Sequence, residues 1–313
     1  MTSISIITTL YKSEKYIDEF YRRIIKVSEE IFNDIEIIFV NDASPDGSLD
    51  KSVALSKMDN RVTVIDLAIN ATHHKAIMTG LTYTTKDYIW LIDIDLEEKP
   101  EWLKTFYLEL IKSNVDVVYG KQIKRKGNLF EKISGAIFFK FMESNSKVNF
   151  QDSATTARIM TRRYVNNLCR FRESSPILAG LWAITGFQQK PLLVKKLSLN
   201  KTTYTNTHKL KLALEAILSF STTPITIMAF IGFISMIISF IVIVFLVISY
   251  ASNNSILNGW TSIMASIWFF GGFLAASISL IGLYVAKIYA EVKSRPYTII
   301  KDIYSNNKNK IFK

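Results

Sequence analysis

A doubly wound, mostly parallel α/β sheet followed by two transmembrane helices is the fold class this sequence predicts. Three observations predict it. Short β-branched runs alternate with helical stretches through the first 120 residues, the spacing of parallel strands joined by crossover helices. The apolar run Tyr88-Ile-Trp-Leu-Ile92 is followed at once by Asp93 and Asp95, as at the carboxyl edge of a buried strand. From Ala216 to Ala286 the chain carries no Asp, Glu, Lys or Arg.

Taken in order, Ser3–Leu10 reads as a strand and Ser13–Ile31 as an amphipathic helix. Asp34–Val40 is a second strand, ending in Asn41-Asp-Ala-Ser-Pro-Asp-Gly-Ser48. Leu49–Met58 reads as helix, Val62–Leu67 as strand and Lys75–Thr84 as helix before the strand that leads into Asp93. Trp102–Ser113 is a further helix and Val115–Gly120 a fifth strand. There is no G-x-G-x-x-G and no G-x-x-x-x-G-K-[ST], so neither a dinucleotide fingerprint nor a P-loop is present. Residues 129–142 and 209–218 mix a large apolar face with lysines, which fits helices lying in a membrane interface.

Pro224–Tyr250 and Trp260–Ala286 are apolar runs of 27 residues each, about 40 Å of helix and enough to span a bilayer with some tilt. Lys209 and Lys211 precede the first, Lys287, Lys293, Arg295 and Lys301 follow the second, and no charge lies between them. Positive flanks face the cytoplasm, which places both ends inside and the connection outside. The division expected is 1–206 cytosolic catalytic domain, 207–222 juxtamembrane helix, 223–289 transmembrane hairpin and 290–313 basic cytosolic tail. Since every donor motif lies ahead of the hairpin, a chain cut after Phe220 is expected to bind nucleotide still but to transfer poorly to long-chain acceptors.

The 313 residues, 49% hydrophobic, suffice for about two structural units. A net charge of +11 admits nucleic acid, an anionic membrane or a phosphorylated substrate as partner. The basic excess collects beside the membrane segment without a nucleic-acid motif, so nucleic acid is excluded. The single cysteine, Cys169, forms no internal disulfide, in keeping with a reducing compartment.

Residues i and i+2 of a strand point to one side, so Asp93 and Asp95 can present two hard oxygen ligands suited to Mg²⁺ or Mn²⁺. Taken alone, D-x-D is equally a pair of solvated loop carboxylates. Asp42, after the second strand, is placed to accept hydrogen bonds from a ligand's base or sugar, or to build a turn with Pro45 and Gly47.

Thr8-Thr-Leu-Tyr11, Val40–Ser48, Asn70-Ala-Thr-His-His-Lys75 and Asp93-Ile-Asp-Leu-Glu-Glu-Lys-Pro-Glu101 resemble the successive motifs of GT-A glycosyltransferases. Asp116–Gly120, Gly180-Leu-Trp-Ala-Ile-Thr-Gly-Phe187, Ser219-Phe-Ser221 and the helix pair are similar to those of polyprenyl-phosphate glycosyltransferases, such as dolichol-phosphate mannose synthase and bactoprenol glucosyltransferases. The resemblance spans nearly the whole chain. It implies a metal-dependent hexosyltransferase with a nucleotide-diphosphate sugar as donor, polyprenyl (undecaprenyl) phosphate as acceptor and a bacterial cytoplasmic membrane as its site, leaving a homo-oligomer open. Carried over by position, Thr9, Tyr11, Asp42, Lys75 and Asp93 bind the donor, Asp93 and Asp95 hold Mg²⁺ or Mn²⁺, and Arg125, Lys132, Ser134 and Arg158 take the acceptor phosphate; Asp93, Asp95, Arg125 and Arg158 form the catalytic set.

The chain departs from the family at Lys12-Ser13, Gln122, Thr155-Thr156-Ala157 and Thr202-Thr203, where an asparagine–glutamate pair, an arginine, an aspartate-bearing segment and a lysine are usual. From Ser153 to Lys301 there is no aspartate, and the glutamates are Glu173, Glu215 and Glu291. A hydroxyl acceptor normally needs a carboxylate base, for which Asp152 or Glu173 would have to serve, whereas an ionised phosphate needs only cations. Arg162 and Arg163 read as solvated or lipid-facing surface. Transfer to a lipid-linked saccharide hydroxyl, or a catalytically silent membrane scaffold, are the alternatives. The sugar and nucleobase are not set by these motifs.

Overall fold

The computed structural model describes residues 2–123, 153–197, 217, 221–253 and 259–306. They fall in two compact units, one holding all eight strands and the other two long helices. The first unit runs β1 (Ser3–Leu10), α1 (Ile17–Glu29), β2 (Asp34–Asn41), α2 (Ser48–Met58), β3 (Val62–Leu67), α3 (His73–Thr82), β4 (Tyr88–Leu91), α4 (Trp102–Ser113) and β5 (Val117–Gln122). It continues with β6 (Ala154–Thr161), α5 (Arg162–Leu168), α6 (Leu178–Ile184) and β7 (Gln189–Val194).

The sheet order is β7-β5-β6-β4-β1-β2-β3-β8, where β8 is Ile300–Ser305. Strands β1, β2, β3 and β4 run parallel, as do β5 and β7, while β6 runs antiparallel between β4 and β5. The expected doubly wound α/β sheet is present, with an antiparallel strand at its centre and another at one edge.

Successive strand residues face opposite sides, and the sequence is apolar at both. Ile6, Ile37, Phe39, Val64 and Trp90 pack with Phe20 and Ile24 of α1 and Phe106 of α4. Their neighbours Ile7, Ile38, Val40, Ile65 and Ile89 pack with Ile77, Met78 and Leu81 of α3 and Tyr164 and Leu181 beyond. Gly80 sets the depth of α3: a Cβ there would come within 2.8 Å of Val40 and 2.9 Å of Ile7. That close seating holds the first turn of α3 over the carboxyl ends of β1 and β2.

The second unit contains α7 (Thr223–Asn253) and α8 (Trp260–Val292), both long and apolar enough to cross a membrane. Their described apolar side chains are largely exposed, Trp268 being 80% exposed; an uncovered surface of this kind calls for lipid or a partner. Within this unit the Tyr284 hydroxyl donates to the Ser221 carbonyl at 2.9 Å. The expected interface helices at 129–142 and 209–218 lie outside the described residues, Ile217 excepted.

The C-terminal segment differs from the basic tail expected at 290–313. Ile300–Ser305 is an edge strand antiparallel to β3. Tyr297, Ile300 and Tyr304 pack against the core, the Ala68 amide donates to the Ile299 carbonyl at 2.9 Å, and the Thr298 and Thr79 hydroxyls share a 2.7 Å hydrogen bond. A chain cut after Phe220 would therefore lose a sheet strand as well as the helix pair. Ending the chain at Ser294 is expected to cost stability, since these side chains are partly buried and full burial of one contributes about 1.5–3 kcal/mol, and to bare the β3 edge to aggregation. Thermal unfolding and hydrogen exchange of the β3 amides would show it; unchanged protection would refute it.

Candidate active site

Because β1, β2 and β4 are parallel and adjacent, Thr9–Tyr11, Asn41–Asp42 and Ile92–Asp95 all leave the sheet at one edge. Connections diverge on either side of β1 here, the position where open α/β sheets bind ligands.

Strand β4 ends at Leu91, so Asp93 and Asp95 lie in the turn that follows, closed by Leu96 at φ 60°. The Asp95 carboxylate accepts the Glu97 amide at 3.0 Å. Burial, then the charge of Asp93, push its carboxyl above the ordinary range. Asp93 stands between His73 and Lys196: His73 Nε2 is 3.5 Å from Oδ1 and Lys196 Nζ is 3.8 Å from Oδ2. The other ring nitrogen of His73 shares a 3.0 Å hydrogen bond with Thr9 Oγ1. Thr9, expected at the donor, thus reaches Asp93 through His73.

Two further side chains join this cluster. Glu98 is fully buried and accepts the Thr156 amide at 3.0 Å; its other oxygen has no partner among the described residues. Burial, then the charge of Asp93, push its carboxyl up to about 8. Lys196, just after β7, also lies 3.6 Å from Glu97 and 3.7 Å from Glu98. Burial disfavours its charge, but the surrounding carboxylates together prevail and its pKa is raised. The motif 93–101 contained Glu98 without marking it; the long-range pairing of β7 with β5 helps bring Lys196 to this edge.

On the donor side, Tyr11 is 48% exposed and open to a ligand. Asp42 is 3% exposed, accepting the Ala71 amide at 2.6 Å while Asn70 donates to its backbone carbonyl. Burial raises its carboxyl, opposed by the Ala71 and Thr72 amides. In this structure it holds the loop before α3, whereas the turn around Pro45 and Gly47 is tied by Asp46, which accepts from the Ser44 and Ser48 hydroxyls and the Ser48 amide. The loop before α3 is strained: Thr72 has φ 81° and ψ 151°, a region essentially reserved for glycine. Lys75 is half-buried in the first turns of α3.

His74 shares a 3.3 Å hydrogen bond with the Pro176 carbonyl, and burial, then the charge of His73, push its pKa down to about 4. A folded pKa below the unfolded value of about 6.5 means that this group's stabilisation is complete above that pH and is lost as pH falls towards 4. Tm should fall across that window in wild type, and His74→Gln should flatten the decline. An equally steep decline in the variant would refute the assignment.

Arg158 is not open to an acceptor. On β6 opposite Leu91 and Tyr119, it is 0% exposed and stacks on the ring of Trp182. It donates to the Thr155 and Thr156 carbonyls, while its Nη1 has no partner among the described residues. The Gly180–Phe187 motif is thus the lid over this arginine. Arg162 departs from the expected surface role, donating to the Lys86 and Thr84 carbonyls, whereas Arg163 is exposed as expected and pairs with Asp116. Burial pushes the Cys169 thiol up to about 11, an inert packing residue. Arg125, Lys132, Ser134 and Asp152 lie outside the described residues.

The glycosyl transferase family 2 model matches residues 5–169. A Mycobacterium tuberculosis protein named among glycosyltransferases is 40% identical over 304 residues, covering 97% of this chain and 89% of its own. Bacillus subtilis glycosyltransferase YkcC is 29% identical over 312 residues, 99% of this chain and 96% of its own. A bactoprenol glucosyl transferase of Shigella phage SfX is 30% identical over 302 residues, 95% of this chain and 98% of its own. With more than half its length matched by the family and its carboxylates gathered at the sheet edge, the chain belongs to glycosyl transferase family 2 and is a glycosyltransferase.

Proposed function

We propose that the protein is a membrane-anchored, metal-dependent, inverting enzyme that moves a sugar from a nucleotide-diphosphate donor to polyprenyl phosphate. The observation that carries this reading is the acidic cluster at the carboxyl edge of β4, in a chain whose apolar helix pair is inserted between two strands of the same sheet. The chain leaves the sheet after β7 and rejoins it at β8, so in sequence the helix pair is flanked on both sides by segments of the sheet unit. Together with Lys287, Lys293, Arg295 and Lys301, this supports a hairpin with the catalytic domain and both termini cytosolic. The phage relative, named for bactoprenol, supports the polyprenyl acceptor.

The donor set fits a divalent metal. Asp93 and Asp95 are hard oxygen ligands; burial, then the charge of Asp93, raise the Asp95 carboxyl, and a cation would relieve the repulsion between the two. Among the described residues no three-ligand His, Cys, Asp or Glu group exists, which leaves positions for waters and donor oxygens, as Mg²⁺ and Mn²⁺ prefer. When bound, the ion would neutralise charge developing on the departing nucleotide diphosphate. His73 and Thr9 orient Asp93, Asp42 holds the loop bearing His73 and Lys75, and Tyr11 presents an open ring to the nucleoside.

The acceptor phosphate arrives ionised and attacks the anomeric carbon directly. The described carboxylates of the site are otherwise engaged: Asp42 by amides, Glu98 by burial, and Asp93 and Glu97 by Lys196. This supports a nucleophile that needs no base. Arg125, Lys132 and Ser134 keep their proposed role at the acceptor phosphate, with Arg158 supporting the site from below.

The test is to incubate the full-length protein in bilayer nanodiscs with a panel of nucleotide sugars, Mg²⁺ or Mn²⁺, and undecaprenyl phosphate. Mass spectrometry should find a glycosyl phosphodiester. A product formed only on a lipid-linked saccharide hydroxyl would overturn the acceptor, and no turnover with any donor would favour a silent scaffold.

A further inference from the structure

No sequence motif singles out Lys196, yet its ammonium stands at the centre of the acidic cluster. Two constraints bring it there: the parallel pairing of β7 with β5, and the 2.9 Å hydrogen bond from the Leu197 amide to the Glu97 carbonyl. Its nitrogen is 3.8 Å from Asp93 Oδ2, 3.6 Å from Glu97 Oε2 and 3.7 Å from Glu98 Oε1, on a side chain 20% exposed. All three separations exceed hydrogen-bond length. The ammonium is held by the combined field of three carboxylates rather than by one directed bond, the situation of a bound cation.

We propose that Lys196 is the resident counter-cation of the metal site: in the donor-free enzyme it occupies the face of Asp93 that a divalent cation would take, and it turns to the donor diphosphate when metal and nucleotide arrive. This rests on the reading of Asp93 and Asp95 as metal ligands. A lysine suits the exchange because it is a compact point charge on a flexible stem, with no fixed fork to dismantle. Metal alone must expel an ammonium from among carboxylates that burial already disfavours, and so binds weakly. Metal with a nucleoside diphosphate binds well, because the displaced ammonium gains a new anionic partner. The two ligands are therefore coupled, and by linkage each raises the other's affinity by the same factor.

The test uses Lys196→Met in the full-length protein, with Mn²⁺ and with UDP and GDP as probes. Free Mn²⁺, titrated by electron paramagnetic resonance without nucleotide, should bind the variant about 10-fold more tightly, since a unit charge within 4 Å of a partly buried site is worth at least that much. The nucleoside diphosphate that wild type prefers should bind the Mn²⁺-saturated variant about 10-fold more weakly, and the synergy should vanish. Lys196→Arg, which keeps the charge, should stay near wild type in Mn²⁺ affinity. Tighter Mn²⁺ binding is a result that a merely structural lysine would not produce. Unchanged or weaker Mn²⁺ binding in Lys196→Met, with wild type binding normally and Asp95→Asn binding poorly, would overturn the role of Lys196 alone. Absence of Mn²⁺ binding in wild type, or indifference to Asp95→Asn, would overturn the metal-site reading beneath it.

Discussion

Asp95→Ala should abolish turnover while the chain stays folded and membrane-associated. A metal ligand facing a departing diphosphate supplies several kcal/mol of transition-state charge stabilisation, so the loss should reach at least about 10³-fold. Stability should move the other way. Burial and Asp93 hold the Asp95 carboxyl above its ordinary pKa. Its contribution is therefore complete at pH below the unfolded value and lost as pH rises through the folded one. At neutral pH without metal the ionised side chain opposes folding, and Asp95→Ala in EDTA should melt no lower than wild type. Rates at saturating Mn²⁺, with Tm in EDTA, check both halves. Near-normal turnover would remove Asp95 from the metal site, and a large drop in Tm would make it a structural residue. A functional residue that costs the resting fold stability is the trade expected of an active site.

The parallel half of the fold was legible because its strands are apolar on both faces and its helices carry clear stripes. Ile6–Ile7, Ile37–Ile38 and Ile89–Trp90 leave little choice but a sheet covered on both sides. Strands β7 and β8 were not legible, for the reason that makes them edges. Gln189-Lys-Pro-Leu-Leu-Val carries a proline, and Ile300-Lys-Asp-Ile-Tyr-Ser carries two charges; both are tolerated only where one side of a strand is unpaired. Strand β6 was hidden by Arg158, a charge in the middle of an apolar run that reads as solvated until Trp182 is seen to cover it. The site divides the same way. Asp93 and Asp95 follow a strand whose end the sequence marks. Lys196 and Glu98 reach the cluster through long-range pairing and burial, for which no local pattern exists.

The last expectation concerns the buried charges beneath the site, where the sequence assigned Arg158 to the acceptor. Arg158 and Glu98 are both fully buried, each with one atom unpartnered among the described residues; burial pushes the Arg158 guanidinium down to about 9, opposed in part by Tyr164 and Glu98. Removing the guanidinium leaves the Thr155 and Thr156 carbonyls without their side-chain donor, at a cost of about 1–3 kcal/mol for each buried group left unsatisfied. Arg158→Ala should therefore lower Tm severely, with the loss of packing on Trp182 added. Arg158→Lys should recover only part, since an ammonium cannot stack on the indole and reach the Thr155 and Thr156 carbonyls together. Glu98→Gln keeps the shape and removes the charge that burial resists, so combining it with Arg158→Met should cost much less than the sum of the two single changes, a coupling of about 1–3 kcal/mol. Thermal unfolding of the four proteins in one detergent measures it. Additive losses would mean that the two groups do not sense each other. A folded Arg158→Ala protein with wild-type Tm and poor affinity for undecaprenyl phosphate would instead put the guanidinium on the acceptor, and would require Trp182 to swing aside to admit it.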